Sequence, residues 1–406
     1  MKNERPYPAL TVTRKGQMFL EGGHVWAYAE EITSPTDDIP NGSLVDVVSD
    51  KGKYIGTGLF SKHSKIRVRL LSRNANDRFD ASFWHRRVRY ALDYRKTVYG
   101  DDTAACRLVF GEADGFPGLT VDRYGDILVT QTLSFGMDKI KPMLFPILVE
   151  ELAADKQNVN GIFERNDVAI RTLEGLEQNK GWFPGFVGDT VKTIITENGV
   201  RYHVDVENGQ KTGFFLDQRL NRRALSEIAH GKTVLDCFTH TGSFALNAVA
   251  GGAAHVTAVD ISDDAIALAK QNAQLNDATD KMDFLCTDVF DLLPALEKQG
   301  KSPYNLIVLD PPAFTKSRKT VGNAERGYKE INYRAMKLLP RGGYLATCSC
   351  SHFMESSLFE KMLHDAAKDA GVSLRRIRML QQAPDHPILM NVPETDYLKF
   401  YLFQVV

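Results

Sequence analysis

Apolar positions along the chain follow three successive patterns. Up to about residue 73 they come as short runs rich in β-branched and aromatic residues, broken by Gly, Pro, Asn and Asp: Leu10-Thr11-Val12, Ser43 to Val48, Tyr54 to Phe60 and Ile66 to Leu71. Such runs predict the strands of a small β-rich barrel, and Ser49-Asp50-Lys51-Gly52-Lys53 predicts the hairpin turn between two of them. In the last run Lys65, Arg67 and Arg69 alternate with Ile66, Val68 and Leu70. The side-chain period of two predicts a cationic face turned outward and an apolar face turned inward.

The second pattern follows a polar linker, Arg73-Asn74-Ala75-Asn76-Asp77. An aromatic, basic helix is expected through Phe83 to Leu92, then a β-meander whose turn clusters lie around Gly111 to Gly118 and at Gly125, ending in a strand at Ile127 to Gln131. A helix near Lys139 to Ala153 and a strand at Gly161 to Arg165 complete a small α+β unit. From about residue 190, after a hairpin over Thr193 to Val206, strands alternate with helices. Strands are expected at Thr233 to Asp236, Val256 to Asp260, Met282 to Leu285, Leu306 to Asp310 and Tyr344 to Cys348, with further strand-like runs at Leu374 to Leu380 and Lys399 to Val406. Asp263 to Asn276 has helical apolar spacing, with Ser262 as its N-cap. The fold class is therefore α/β: a C-terminal doubly wound domain over 190–406, preceded by a β-rich domain over 1–73 and a small α+β domain over 74–189.

Composition narrows the chemistry. In 406 residues, 50 Lys and Arg oppose 51 Asp and Glu, for a net charge of −1. That balance excludes a globally basic nucleic-acid binder and leaves room for local patches. No run approaches the about 20 apolar residues a membrane span needs, and Met1 to Pro6 is not followed by the apolar core of a signal peptide. The expectation is a cytoplasmic protein without a membrane partner. Five cysteines without a CxxC pair argue against a disulfide scaffold or a zinc ribbon, so no metal is expected.

In an open parallel sheet, ligands bind outside the carboxyl ends of the strands. The first strand of the doubly wound domain ends in Asp236, followed by a turn of mainly small residues through Phe238, Thr241 and Gly242. The second ends in Asp260, followed by Ile261, and the third leads to Asp288 and Val289. Asp260 suits a ribose diol, and Asp288 can accept from an adenine N6 amine. A pyrophosphate-binding GxGxxG is absent, which disfavours a nicotinamide cofactor. S-adenosylmethionine fits better, because nothing here is arranged to neutralise phosphates. The fourth strand ends in Asp310-Pro311-Pro312-Ala313-Phe314, a rigid rim where Asp310 can read a planar base and Phe314 can stack on it.

The fifth strand brings thiols to this edge in Thr347-Cys348-Ser349-Cys350-Ser351. Cys348 and Cys350 share one face, with Cys350 nearer the carboxyl end and beside the Asp310 rim. Carbon 5 of a cytosine becomes nucleophilic only after a thiolate adds at carbon 6, so methylation there requires a cysteine, whereas methylation of an amino group does not. Before the sheet, Phe214 and Phe215 could pack against the cofactor, while Asp217 and Arg219 fix the loop or contact its polar ends.

These residues resemble the bacterial large-subunit rRNA methyltransferase I family, which makes 5-methylcytosine in 23S rRNA with S-adenosylmethionine. The similarity runs over the whole chain. Gly23 to Tyr28 and Gly56 to Ile66 are similar to its PUA-type RNA-binding domain, and Glu112 to Gly118 to its central domain; Thr212 to Arg219, Leu235 to Phe244, Asp310 to Phe314 and the Cys-Ser-Cys-Ser run are similar to its catalytic motifs. The resemblance implies Cys350 as nucleophile and Asp310 as its catalytic partner, with Cys348 the second choice. It implies cofactor contacts at Phe215, Asp217, Arg219, Asp236, Phe238, Thr241, Gly242, Asp260, Ile261, Asp288, Val289 and Asp310. RNA contacts are expected at Lys62, Lys65, Arg67, Arg69 and Phe314. The partner implied is 23S rRNA, and a homodimer stays open. A Pro-Cys found after the fourth-strand acid in many RNA 5-methylcytosine enzymes is Pro312 here, so the base that removes the carbon-5 proton stays open among Asp310, Lys316 and a water. Two alternatives stand beside this reading: methylation of guanine N7 or adenine N6, and a non-catalytic ribosome-assembly RNA-binding protein.

Overall fold

The computed structural model describes residues 5–300, 302–315 and 317–406. Two compact units divide the chain: Met1–Thr193, Val204–Leu216 and Pro384–Thr395 form the first, Ile194–His203, Asp217–Ala383 and Asp396–Val406 the second.

In the first unit β1 (Ala9–Thr11), β2 (Trp26–Tyr28), β3 (Leu44–Val48), β4 (Tyr54–Phe60) and β5 (Ile66–Ser72) make one sheet in the order β1-β3-β4-β5-β2. The expected β3–β4 turn is present. Ser49 Oγ accepts the Lys51 and Lys53 N–H groups at 3.2 and 3.1 Å, and Gly52 takes φ +74°. The short helix α1 (Arg14–Glu21) and β2 were not expected from the pattern. With Gly16 and Leu20 as its buried residues, α1 leaves too faint a periodicity to read.

Arg69 corrects the reading of β5 as an outward cationic face. It is 7% exposed, and its Nη2 lies 2.8 Å from Oε1 of the buried Glu174. The segment that carries Glu174 covers the face that alternation alone would leave to solvent, and a guanidinium buried there needs its carboxylate. Lys62 and Lys65 remain exposed, while half-buried Arg67 donates to the carbonyls of Ser61 and Lys62.

The second sheet of this unit runs β10-β9-β8-β7-β6, built from β6 (Ala105–Phe110), β7 (Leu119–Tyr124), β8 (Ile127–Thr132), β9 (Gly161–Arg165) and β10 (Lys180–Trp182), with α2 (Ala81–Tyr99) and α3 (Phe135–Ala154). The expected meander, helix and strand are here, although α3 begins several residues before Lys139. Leu59 and Leu71 of the first sheet join Trp84, Leu108 and Phe145 in one core. The hairpin β11 (Lys192–Glu197) and β12 (Val200–Asp205) follows.

The second unit carries α4 (Arg219–Ser226), β13 (Thr233–Cys237), α5 (Ser243–Ala250), β14 (His255–Asp260), α6 (Asp263–Leu275), β15 (Met282–Cys286), α7 (Val289–Lys298), β16 (Leu306–Leu309), α8 (Val321–Leu338), β17 (Tyr344–Ser349), α9 (Ser356–Ala370), β18 (Leu374–Leu380) and β19 (Lys399–Val405). Its seven strands run β15-β14-β13-β16-β17-β19-β18. The first five are parallel, and β19 is antiparallel to both of its neighbours. Central strands such as β16 are apolar throughout because both faces are covered. Leu235, Ile307, Leu309 and Leu345 pack with Tyr328 of α8, Phe359 of α9 and Tyr401 of β19. Ser262 caps α6 as expected, its Oγ accepting from the Ala265 N–H.

Candidate active site

From β13 the connections lead to β14 on one side, while β16 leads to β17 on the other, so the carboxyl ends of β13 and β16 open the crevice of a doubly wound sheet. The turn after β13 is sharply bent. Phe238, His240 and Gly242 all take left-handed φ, at 63°, 50° and 77°. Two of them are not glycine, and such strain is held only where the surroundings over-determine it.

Asp236 lies beneath that turn. Its Oδ2 accepts from Thr239 Oγ1 at 2.5 Å and from the Ala245 N–H at 3.0 Å, whereas its Oδ1 is buried without a hydrogen-bond partner among the described residues. Burial pushes its carboxyl up to about 7, against the pull of those two bonds. Thr241 Oγ1 is likewise buried and unpartnered among the described residues. At the end of β14, Asp260 accepts the His240 N–H at 2.9 Å and the Ser262 N–H at 3.0 Å, tying the turn to the next strand. Ile261 beside it is an exposed apolar side chain. Asp288 caps α7 through the Phe290 N–H at 2.8 Å, and the Val289 side chain is buried in the core. Val289 can therefore meet a ligand through its backbone and not through its side chain.

The residues leading into α4 reach the same strand ends. Asp217 Oδ2 accepts from Tyr397 Oη at 2.6 Å, and its Oδ1 is buried and unpartnered among the described residues. Gln218 donates from Nε2 to Asp310 Oδ1 at 3.0 Å and accepts from Asn221 Nδ2 at 2.6 Å. Arg219 is buried with α4, while Phe215 is half-buried in the segment 204–216 that belongs to the first unit. The helix is anchored by Arg222, whose Nε and Nη2 lie 2.7 and 2.8 Å from the two carboxylate oxygens of Glu197.

At the β16 rim the structure changes the expected pairing. Leu309 pairs with Thr347, so Asp310 and Cys348 fall together one residue on, and it is the Cys348 thiol that hydrogen-bonds Asp310. The sequence reading set Cys350 beside this rim; the parallel register gives the contact with the acid itself to Cys348. Burial and the nearby Asp217 charge push Asp310 up to about 7. Cys348 is 0% exposed, and burial together with Asp310 holds its thiol well above the ordinary range. Cys350 lies just past β17, half-buried and open to solvent on one side. Phe314 does not stand free as a stacking platform: its ring packs on Tyr328 and Phe290, with centroids 4.6 and 5.9 Å apart. Lys316 lies outside the described residues.

Four groups of this site escaped the sequence reading: Gln218, Tyr328, Tyr397 and Lys399. Gln218 stands between two residues that were singled out, so its position was a usable signal. Tyr328 comes from α8, Lys399 from β19 and Tyr397 from the segment just before β19, and no local pattern announces how these approach the end of β17.

Asp217, Asp236, Asp260 and Asp310 make this crevice acidic, and two of the acids hold a buried oxygen that no described donor reaches. A cationic nucleoside fits that donor-poor pocket, and a phosphate does not. Among the described residues no group of His, Cys, Asp and Glu is arranged to hold a metal.

Known proteins agree with this chemistry. The model of an S-adenosylmethionine-dependent methyltransferase family matches residues 177–404, and that of a PUA-like domain matches residues 10–73. A ribosomal RNA large subunit methyltransferase I from Pseudoalteromonas atlantica is 40% identical over 385 residues, 94% of this chain and 95% of its own length. Its namesake from Klebsiella pneumoniae is 37% identical over 404 residues, 98% of this chain and 99% of its own. A SAM-dependent methyltransferase structure from Streptococcus mutans superposes with a TM-score of 0.81 at 24% identity, over 98% of this chain and 100% of the other. A second methyltransferase, complexed with SAH, gives 0.83 at 24% identity over the same shares. These two establish a common fold. On the sequence identities and the matched domains, the chain belongs to the ribosomal RNA large subunit methyltransferase I family of S-adenosylmethionine-dependent enzymes.

Proposed function

We propose that this enzyme methylates carbon 5 of a cytosine in 23S rRNA through a covalent adduct with Cys350, in the cytoplasm, with residues 1–73 and 74–189 positioning the RNA and 190–406 carrying the chemistry. The observation that carries the reading is the contrast between two thiols, one on β17 and one just past its end. Cys348 is sealed against Asp310, while Cys350 lies solvent-accessible at the carboxyl end where a ligand enters. A relative's name, ribosomal RNA large subunit methyltransferase I, supports the substrate class.

Asp217, Asp236 and Thr241 would hold the cofactor's cationic end, and Asp260, Ile261 and Asp288 its nucleoside. When bound, S-adenosylmethionine supplies a methyl group on a positively charged sulfur. The target base must leave its stack to reach the strand ends. Cys350, as thiolate, forms a bond to carbon 6, and Asp310, titrating near 7, donates its proton toward N3 so that the ring electrons collect at carbon 5. Carbon 5 takes the methyl group, the electron pair of the broken bond staying on the cofactor's sulfur. Loss of the carbon-5 proton to water, with the N3 proton returning to Asp310, then re-forms the ring double bond and expels Cys350 as thiolate. RNA containing 5-fluorocytidine tests the sequence of steps, because fluorine at carbon 5 blocks that elimination: a stable adduct mapped to Cys350 is expected, and its absence would overturn the reading.

Binding a cation among these acids lowers their pKa values. Affinity for S-adenosylmethionine should therefore rise as pH passes upward through about 7, with protons released on binding. Without ligand the sign reverses for stability. Carboxyls raised above their unfolded value of about 4 favour the fold below that pH and lose this contribution as pH climbs through about 7. Titration calorimetry in two buffers, with Asp236→Asn flattening both dependences, checks the prediction.

For RNA, Lys62 and Lys65 are the exposed cations of the first unit's β4–β5 connection. Replacing both with Glu should weaken RNA binding across sequences and reduce the slope of log K against log salt by about 2. Arg69→Ala should instead lower stability, because it strands Glu174.

A further inference from the structure

β19 runs antiparallel to β17 and sets Lys399 across from Ser349. The Lys399 side chain is 4% exposed, and its Nζ donates to the carbonyl oxygens of Ser351 at 2.9 Å and Tyr397 at 3.1 Å. The ammonium thus reaches the strand end and fastens the residue that follows Cys350. Both acceptors are neutral. A buried ammonium keeps its charge only beside groups that can carry negative charge, and those coupled to it are Asp396, Cys350 and Glu355. Burial pushes the Lys399 pKa down, and those three pull it back up.

Three described residues couple to the Cys350 charge. Tyr328 of α8 sends its hydroxyl between Ser349 Oγ, 3.1 Å away, and Ser351 Oγ, 3.2 Å away, and interacts electrostatically with the thiol. Cys348 of the same strand and Lys399 of β19 also feel its charge. Lys399 is the cation among them. Charge coupling is reciprocal: a thiolate that favours the ammonium is favoured by it to the same extent.

We propose that Lys399 is a positioning residue for Cys350, holding the peptide after it and stabilising its thiolate for addition to the base. The proposal rests on the reading of Cys350 as nucleophile. The sulfur's proton leaves to solvent, which the half-buried thiol can reach, and Lys399 itself transfers none. Of the acids coupled to Lys399, Asp396 pulls hardest, ahead of Cys350 and Glu355, and Asp396 Oδ2 is engaged by Gln381.

The test is alkylation of the full-length protein by iodoacetamide, following the Cys350 peptide by mass spectrometry between about pH 6 and about pH 10, for wild type, Lys399→Met and Lys399→Arg. Lys399→Met should raise the apparent pKa of Cys350 by about one unit and slow its alkylation at neutral pH about ten-fold, while Lys399→Arg stays near wild type. S-adenosylmethionine binding reports that the variants fold. Should Lys399→Met fail to fold, the wild-type profile decides: a Cys350 pKa below the ordinary value of about 8.5 supports the proposal, and one at or above it overturns it. An unchanged profile in Lys399→Met, with the 5-fluorocytidine adduct intact, overturns the role of Lys399 alone. A shifted profile without any adduct overturns instead the nucleophile reading beneath it.

Discussion

Cys350→Ala is expected to abolish 5-methylcytidine formation in protein-free 23S rRNA, by about 10,000-fold or more, roughly 5 kcal/mol at the transition state, while S-adenosylmethionine binding stays near wild type. The size follows from the chemistry. Without a sulfur on carbon 6 the ring offers no nucleophilic carbon 5, so neither proximity nor electrostatics can replace the thiolate. The residues proposed for the cofactor are drawn from the ends of β13 to β15 and from the α4 entry, where Asp217 is held by Tyr397, Asp236 by Thr239 and Ala245, and Asp260 by His240 and Ser262. Cys348→Ala separates the two thiols. It removes a buried hydrogen-bonding partner of Asp310, so it should cost stability and disturb the acid while leaving 5-methylcytidine as the product. Nucleoside mass spectrometry of the digested RNA decides. Full activity in Cys350→Ala with a methylated purine as product would replace the carbon-5 reading with its amino- or ring-nitrogen rival.

The second large effect concerns stability. Glu197→Ala should destabilise the second unit by about 3–5 kcal/mol, because it leaves the fully buried Arg222 guanidinium without its carboxylate. The pair joins β11 to α4, which carries Gln218 and Arg219 toward the site. Loss of the anchor should therefore weaken cofactor affinity together with stability. The double variant Glu197→Leu with Arg222→Met removes both charges and should recover most of the lost stability, since an apolar pair of similar volume can replace a buried ion pair. Urea unfolding of the three variants reads the effect. A single variant as stable as wild type would mean that water reaches Arg222.

Much of the fold was legible because it rests on local periodicity. The strands of the doubly wound sheet are short apolar runs bounded by turn residues, and Ser262 announces the start of α6 by the bond its hydroxyl makes three residues on. The acids at strand ends were legible for the same reason: in such a sheet the residue after an apolar run stands at the carboxyl edge whatever its neighbours are. Asp236, Asp260 and Asp310 were found in this way.

What failed were statements about what lies across from a residue. Alternation along β5 predicted an exposed Arg69, yet Glu174, 105 residues further on, covers it. Face-sharing placed Cys350 beside the Asp310 rim without saying which thiol meets the acid, and the register of β16 with β17 gives that contact to Cys348. Phe314 looked like a platform for a base and is packed on Tyr328.

The sequence by itself determined the order of strands along the doubly wound domain, the class of sheet, the acids at its edge and the presence of two thiols at the end of one strand. All of these depend on the spacing of side chains along a single strand or helix. The tertiary structure alone decided which thiol is sealed and which is open, which arginine is buried, and that Lys399 of the last strand lies beside Cys350. Those outcomes depend on pairing between segments distant in the chain, which is fixed by packing and charge burial and leaves no periodic trace.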